Sequence, residues 1–326
     1  MLEHGGRLEE AMARYGHARE AWLDLSTGIN PQSYPLPALA ADVWHRLPEA
    51  APALLDAACN YYRVAQLLPV AGSQAAIQAL PRLRPTSRVV IGAPAYAEHA
   101  HRWRRAGHEV IELPYAELEG ALDSCDVMVV CNPNNPTGAM VAPEILRAWA
   151  ARLAERGGWL VVDEAFADVQ PQRSVAGILP GLIVLRSLGK FFGLAGLRLG
   201  FVVAEPALLE ALADEIGPWG VTEAAQIIGT AALRDTAWQR EILARLQQDG
   251  ARLQRLLAAY RIESHGCALF QWWAEPRADA FAEHMAQRAI WVRKFAAGGI
   301  RLGLPFHEHD WGRLSRALDE WQSPDP

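Results

Sequence analysis

The chain has 326 residues, of which 51% are hydrophobic and 21% are charged; this usage is typical of a folded globular protein and excludes a disordered one. The formal net charge of −6 excludes a general attraction to nucleic acid or to an anionic membrane surface. No apolar run reaches the roughly 20 residues of a membrane span, and we expect no signal peptide, because the first 16 residues are charged and helix-like.

The cysteines indicate the redox environment. Cys59, Cys125, Cys131 and Cys267 show neither CxxC spacing nor the pattern of a disulfide framework. We therefore expect reduced, buried thiols in a cytoplasmic protein, and no metal.

In chain order, short runs rich in β-branched residues alternate with amphipathic stretches from residue 89 onward. The runs predict buried strands at 89–94, 127–133, 159–166, 181–187 and 198–205. The segments 97–107 and 143–156 predict helices; Pro143 stands near the start of the second and Gly157 just past its end. This alternation is typical of an α/β fold with a mostly parallel sheet, covered by helices on both faces.

From about Pro206 the pattern changes to long helices and then to short strand-like pieces at 267–273 and 299–305. The chain is also longer than a single hydrophobic core usually supports. We therefore predict three parts: an N-terminal arm, residues 1–35, that joins the small domain; a large cofactor-binding domain, residues 36–210; and a small C-terminal domain, residues 211–326.

Two segments have the composition of ligand-binding turns. The sequence AGSQ at 71–74 predicts a turn that leads into a helix, where Gly72 would allow close backbone approach, Ser73 would cap the helix and free N–H groups would suit a phosphate. The sequence CNPNNPTG at 131–138 predicts a rigid turn after a strand. Each segment by itself is also compatible with a purely structural role.

The most informative residues are Ser187, Lys190 and Arg198, read together with Asp163 at the end of a hydrophobic run. Lys190 would form a Schiff base with pyridoxal 5'-phosphate (PLP), Asp163 would face the pyridine nitrogen, and Ser187 and Arg198 would hold the phosphate. Asp163 could instead be a cap or ion-pair partner, and Lys190 an exposed loop lysine. The glycine and phenylalanines beside Lys190 favour desolvation, which lowers the pKa of an amine. The ordered set predicts a PLP site.

The order GSQ, Tyr96, NPNNPTG, DEAF, SxxK and an arginine eight residues later resembles the fold-type I, PLP-dependent aminotransferase superfamily. The resemblance covers nearly the whole chain. It implies a mostly parallel seven-stranded sheet in the large domain, a smaller α+β domain and a homodimer.

The resemblance also implies roles for individual residues. The cofactor phosphate would be bound by Gly72, Ser73, Gln74, Ser187 and Arg198. Tyr96 would stack on the cofactor ring and Asn135 would donate to its phenolic oxygen, while Arg301 of GIRLGLP would bind the substrate α-carboxylate. The catalytic residues would then be Lys190, Asp163 and Tyr96.

Finer features resemble the L-threonine-O-3-phosphate decarboxylases of cobalamin biosynthesis. They are the N-terminal HGG, the GINP at 28–31 and the IWVRKF at 290–295. In that family a histidine and an arginine at these places contact the substrate phosphate, which implies this role for His4 and Arg293. Asn30 and Asn135 would contribute to the substrate pocket.

Two positions depart from the superfamily pattern. Phe166 stands where many aminotransferases have a tyrosine that bonds the phenolic oxygen of PLP, so Asn135 would be the remaining donor. Leu47 stands where histidinol-phosphate aminotransferases have a tyrosine that reaches the phosphate of the neighbouring subunit. A leucine cannot make that hydrogen bond.

Together these features predict decarboxylation of L-threonine O-3-phosphate to (R)-1-amino-2-propanol O-2-phosphate and CO2, with a phosphorylated amino acid as the small-molecule partner. Decarboxylases and transaminases share the PLP-binding motifs, so the choice depends on HGG, GINP and VRKF. A histidinol-phosphate-type aminotransferase is the leading alternative. A non-catalytic protein with a PLP fold is a third, and the intact Lys190 argues against it.

Overall fold

The computed structural model describes residues 5–296 and 298–322. The described chain forms two compact units. The large unit comprises Ser33–Asn135 and Ala139–Glu241; the small unit comprises residues 5–32, Pro136–Gly138 and the described chain from Ile242 onward. The predicted domain boundaries at residues 35 and 210 stay a prediction.

The α-helices of the described chain lie between short loops and 3₁₀ turns. They are α1 Leu8–Tyr15, α2 Pro52–Tyr62, α3 Ser73–Ala79, α4 Glu98–Arg105, α5 Pro143–Ala154, α6 Pro206–Ile216, α7 Glu223–Arg234, α8 Thr236–Ala259, α9 Ala278–Gln287 and α10 Glu308–Gln322. Among the residues described, no helix combines the length and the apolar character that crossing a membrane requires.

The strands belong to three sheets. They are β1 Leu23–Asp24, β2 Leu68–Val70, β3 Arg88–Ala93, β4 Glu109–Pro114, β5 Val127–Cys131, β6 Trp159–Asp163, β7 Leu182–Ser187, β8 Gly200–Val203, β9 His265–Cys267, β10 Phe270–Trp273, β11 Ile290–Trp291, β12 Arg293–Phe295 and β13 Gly299–Gly303. Every strand and helix segment predicted before residue 206 overlaps one of these elements.

The large unit contains a seven-stranded sheet in the order β2-β8-β7-β6-β5-β3-β4. The five strands from β4 to β7 in this order run parallel, and β8 is antiparallel to both of its neighbours. The α/β class and the mostly parallel seven-stranded sheet are therefore confirmed. Because the parallel strands β5, β6 and β7 end at one edge, polar residues at their carboxyl ends are brought together there.

The core of the large unit explains why the central strands are continuous apolar runs. Every residue of β5 and β7 is buried, and helices α3, α4 and α6 contribute further apolar side chains to the same cluster. Burying one Val, Leu or Ile side chain stabilises the fold by about 1.5 to 3 kcal/mol. The central strands are thus held in the buried core of the unit.

The small unit contains a four-stranded antiparallel sheet in the order β12-β13-β10-β9 and a two-stranded parallel pair, β1 with β11. The register places Arg293 of β12 directly opposite Arg301 of β13. Helices α9 and α10 pack against each other in the same unit.

Two details of the sequence analysis are corrected by the structure. Strands β2 and β4, at the two edges of the large sheet, were not predicted. Ser73 does not cap α3: the N-cap position is Gly72, with φ of +72°, and a glycine offers no side chain for a capping hydrogen bond. The helix does begin at Ser73, as the turn-then-helix pattern predicts.

Candidate active site

One cavity of about 150 Å³ in the large unit brings together residues that are far apart in the sequence. Its lining includes every residue for which the sequence predicts cofactor contact: Gly72, Ser73, Gln74, Tyr96, Asn135, Asp163, Ser187, Lys190 and Arg198. Cys131 and Phe166 also line it. The cavity is therefore the candidate active site, and its lining residues are the candidates for catalysis and cofactor binding.

The topology of the sheet explains this convergence. Cys131, Asp163 and Ser187 are the last residues of β5, β6 and β7. Cys131 is in register with Asp163, and Ser187 is in register with Gly200 of β8. Parallel neighbours that end together place their final side chains at one sheet edge, where open α/β sheets bind ligands.

Asp163 is held by two hydrogen bonds and is almost completely buried. His99 Nε2 donates to Oδ2 over 2.9 Å, and the Ala165 backbone N–H donates to Oδ1 over 3.0 Å. Burial by itself would lower the pKa of His99, but Cys131 and Asp163 outweigh burial and raise this pKa to about 10. At neutral pH His99 is therefore an imidazolium.

The sequence analysis did not single out His99. Its only signal was its position three residues after Tyr96, at the start of α4. His99, Cys131 and Asp163 also present potential metal-ligand atoms within 4.8 Å of one another. Nε2 of His99 and Oδ2 of Asp163 already bond each other. We therefore interpret the three residues as the surroundings of an ion pair and not as a metal site.

The pH dependence of stability tests the His99–Asp163 pair. The pKa of His99 rises from 6.5 in the unfolded chain to about 10 in the folded protein, so its stabilising contribution is fully present below about pH 6.5 and is lost as the pH rises through about 10. We expect the unfolding temperature of the wild type to fall more steeply between pH 7 and 10 than that of His99→Gln. Thermal unfolding at several pH values measures this. His45→Gln changes an exposed imidazole and should keep the wild-type slope; parallel profiles for wild type and His99→Gln would contradict the assignment.

Lys190 lies in the turn that follows β7 and is half-buried. Its Nζ lies 5.5 Å from the centre of the Phe166 ring, and the next two side chains, Phe191 and Phe192, are buried. The Gly189 backbone N–H donates to Ser187 Oγ over 3.2 Å. Phe166 thus presents its ring to the lysine amine. Unlike a tyrosine at this position, it has no hydroxyl that could donate a hydrogen bond.

The region around Gly72 and Arg198 fits a phosphate group. A Cβ atom on Gly72 would lie 2.6 Å from Nη2 of Arg198, and one on Gly200 would lie 2.6 Å from the backbone nitrogen of Ser73. Both glycines are therefore needed for the close approach of these donors. A guanidinium, a backbone amide and the Ser73 and Ser187 hydroxyls form a donor set that suits a phosphate.

The asparagines of the 131–138 turn divide into two roles. Asn132 exchanges two hydrogen bonds with the Val141 backbone, of 3.1 and 2.8 Å, and Asn134 Nδ2 donates to the Pro94 carbonyl over 2.8 Å. These two side chains stabilise the turn. Asn135 lines the cavity instead, which agrees with its prediction as a ligand-contacting residue but does not test it.

A buried ion network supports the same strand ends. Arg186 Nη1 donates to Glu164 over 2.5 Å and Nη2 donates to Asp168 over 2.5 Å, with all three residues buried. Burial raises the pKa of Asp168, and Arg186 opposes that rise. Since Glu164 follows Asp163 and Arg186 precedes Ser187, the network connects the end of β6 to the end of β7.

The predicted carboxylate arginine lies in the small unit. Arg301 is buried, and its Nη2 donates to the Ser26 carbonyl over 2.7 Å. Burial, and then the charge of Arg293, lower the pKa of Arg301 to about 10. The guanidinium carbons of Arg293 and Arg301 lie 5.2 and 6.0 Å from the centre of the same ring, that of Phe295. The two predicted substrate arginines are therefore neighbours.

The remaining predicted substrate residues are placed as follows. Asn30 is buried, and its Oδ1 accepts from the Gln32 backbone N–H over 2.9 Å. Arg293 lines a cavity of about 480 Å³ in the small unit, together with Gly5. His4 lies outside the described residues.

A mostly parallel α/β sheet that carries a lysine, an aspartate and a Ser/Arg pair at its carboxyl edge defines an enzyme of the aminotransferase type. Residues 23–322 match the family model for aminotransferase class I and II, and the chain belongs to this family.

Named relatives cover nearly the whole chain. A threonine-phosphate decarboxylase of Pseudomonas aeruginosa is 52% identical over 99% of this chain and 99% of its own length. A second, from Sinorhizobium sp, is 45% identical over 97% of both chains. A solved histidinol-phosphate aminotransferase from Sinorhizobium meliloti, in complex with pyridoxal-5'-phosphate, has a TM-score of 0.82 at 22% identity and covers 96% of this chain and 94% of its own; at this identity the likeness concerns the fold.

Proposed function

We propose that the protein is a PLP-dependent carboxy-lyase that converts L-threonine O-3-phosphate to (R)-1-amino-2-propanol O-2-phosphate and CO2 in cobalamin biosynthesis. Two relatives named for threonine-phosphate decarboxylation match almost the full length at 52% and 45% identity. This support favours decarboxylation over the histidinol-phosphate-type transamination that the motifs also allow. A phosphorylated amino acid is accordingly the substrate.

The main observation in support of an anionic substrate is that Arg293 and Arg301 lie directly opposite each other on neighbouring strands. Like charges directly opposite each other on antiparallel strands repel, and burial of Arg301 strengthens the repulsion because water is excluded. An anionic ligand relieves this cost. L-threonine phosphate carries two anionic groups, and we assign its α-carboxylate to Arg301 and its phosphate to Arg293, together with His4; Asn30 contributes to the same substrate pocket.

The cavity of the large unit holds the cofactor in this proposal. When bound, PLP accepts the electron pair that remains on Cα after the carboxylate leaves. Lys190 would hold the cofactor through its aldehyde, and Gly72, Ser73, Gln74, Ser187 and Arg198 would bind its phosphate. Tyr96 would pack on the ring, and Asn135 would donate to the ring oxygen.

Asp163 would keep a proton on the pyridine nitrogen, because a negative charge beside it favours the protonated ring. His99 holds the carboxylate in place with a 2.9 Å hydrogen bond. The Lys190 amine, which lines the same cavity, would return a proton to Cα. Protonation at Cα completes decarboxylation without a second amino-acceptor substrate.

Which bond to Cα breaks depends on how the carboxylate and the phosphate of the substrate are bound. With the carboxylate on Arg301 and the phosphate on Arg293, rotation about the N–Cα bond is restricted, and that rotation decides which Cα bond is broken. An assay of purified protein with L-threonine phosphate should show CO2 release with no oxo-acid requirement. Stoichiometric conversion of PLP to pyridoxamine phosphate, relieved only by 2-oxoglutarate, would instead support the aminotransferase.

Arg293→Ala tests the phosphate role. A charge-assisted hydrogen bond contributes about 1.5 to 3 kcal/mol, so we expect a roughly ten- to hundredfold loss of kcat/KM for L-threonine phosphate with PLP affinity unchanged. Arg288→Ala, which removes an arginine paired with Glu320 on the surface, is the control and should behave as wild type. An equal loss toward phosphorylated and unphosphorylated threonine would contradict the role.

We also propose a cytoplasmic homodimer. The large unit exposes large apolar side chains, among them Leu36, Trp44, Leu47 and Trp219, each more than half exposed. Contact with a second copy would bury such surface, and Leu47 would approach the cofactor of the partner subunit without donating to it. Sedimentation should give a dimer whose interface exceeds about 1,000 Å²; a fully active monomer would refute this.

A further inference from the structure

A chain of hydrogen bonds leads from the candidate active site into helix α4. The Tyr96 hydroxyl donates to Gln74 Oε1 over 3.1 Å, and Gln74 Nε2 donates to Glu98 Oε2 over 2.8 Å. Arg102 Nε donates to the same carboxylate oxygen over 2.7 Å. Tyr96 and Gln74 line the cavity of the large unit, whereas Glu98 and Arg102 are not among its lining residues.

The carboxylate determines the direction of this chain. An ionised carboxylate only accepts hydrogen bonds, so the Gln74 amide must present its nitrogen to Glu98 and its oxygen to Tyr96. The phenol proton must then point at Gln74. Burial, with the negative charges of Glu98 and Asp163, raises the pKa of Tyr96 to about 12, so this proton stays in place at neutral pH.

Glu98 is buried, which is costly for a carboxylate unless a partner compensates. Arg102, one helical turn further along α4, supplies the compensating charge from a partly exposed position. Both hydrogen bonds converge on one oxygen of Glu98, which fixes the orientation of its carboxylate.

We propose that Glu98 is a positioning residue: its carboxylate orients the Gln74 amide, and through that amide it sets the hydroxyl and the ring of Tyr96 in the cofactor cavity. This inference depends on the proposed function, in which Tyr96 packs on PLP and Gln74 contacts its phosphate. Glu98 acts through Gln74 and contributes no contact of its own to the cofactor. Its effect should therefore disappear when the phenol hydroxyl is absent.

A double-mutant cycle tests the inference by the dissociation constant of PLP and the visible circular dichroism of the bound cofactor. Glu98→Gln should bind PLP about tenfold more weakly and show a changed dichroism band. In a Tyr96→Phe background the same substitution should change the dissociation constant less than about twofold, because the two residues act as one unit. Glu112→Gln, whose carboxylate pairs with Arg104 of the same helix at the surface, is the matched control and should bind PLP as wild type does.

Tyr96→Phe decides the matter if Glu98→Gln alone does not fold. It breaks the same chain of hydrogen bonds at the phenol hydroxyl, so it should itself bind PLP about tenfold more weakly. Wild-type PLP binding by Tyr96→Phe, or equal effects of Glu98→Gln with tyrosine and phenylalanine at 96, would overturn the inference. A wild type that binds no PLP would overturn the proposed function as well, whereas normal PLP binding by Glu98→Gln would overturn the inference alone.

Discussion

Lys190→Ala is expected to abolish turnover and to remove the borohydride-reducible link to PLP. Lys190 is the lysine of the cavity, and it lies beside Asp163, Ser187 and Arg198 at the carboxyl edge of the sheet. In the proposed function its amine supplies both the covalent attachment of the cofactor and the proton returned to Cα, so both should be lost. Activity assays and mass spectrometry after borohydride treatment measure both losses.

The sequence offers a matched control, because it contains one other lysine, Lys294. Lys294 lies on β12 in the small unit and pairs with Asp279. Lys294→Ala should therefore keep the reducible link. A Lys190→Ala protein that still carries PLP through a reducible bond would show that the attachment site is wrong.

Asp163→Asn is expected to reduce activity on the order of 100- to 1,000-fold and to weaken PLP binding. The substitution keeps the shape of the side chain but removes the charge that favours a protonated pyridine nitrogen. It also leaves the buried His99 imidazolium without its charged partner, and breaking a buried ion pair costs about 3 to 5 kcal/mol. Steady-state kinetics and the visible absorbance spectrum of the bound cofactor measure these effects.

Asp123→Asn provides the control for this substitution. Asp123 pairs with Arg152 on the surface of the large unit, where an ion pair contributes little to stability. We expect its activity and spectrum to match those of the wild type. Wild-type activity in Asp163→Asn would contradict the assignment of Asp163 to the pyridine nitrogen.

The edge strands show where prediction from the sequence fails. β2 contains Pro69, which lacks a backbone N–H and therefore obscures the strand pattern; such a residue is tolerated at a sheet edge. β4 is mostly exposed, so it lacks the continuous apolar run that identifies a buried strand. The central strands were predictable because both of their faces are buried.

The sequence by itself determined where the central strands lie along the chain, the helices between them and the residues at the strand ends. These features are local: an apolar run and the polar residue that ends it, such as Asp163 at the end of β6 or Ser187 at the end of β7, are adjacent in the chain. Their spacing also carried the resemblance to the aminotransferases, which the family match to residues 23–322 confirms.

Only the tertiary structure decided which residues support those side chains. His99 bonds Asp163 across 64 positions, and Gln74 bonds Glu98 across 24. Such contacts depend on which face of α4 packs toward the sheet and on the order of strands within it, and helical periodicity alone leaves both open. The opposition of Arg293 and Arg301 likewise depends on the register of β12 and β13, since a slip of one residue would turn either side chain to the other face.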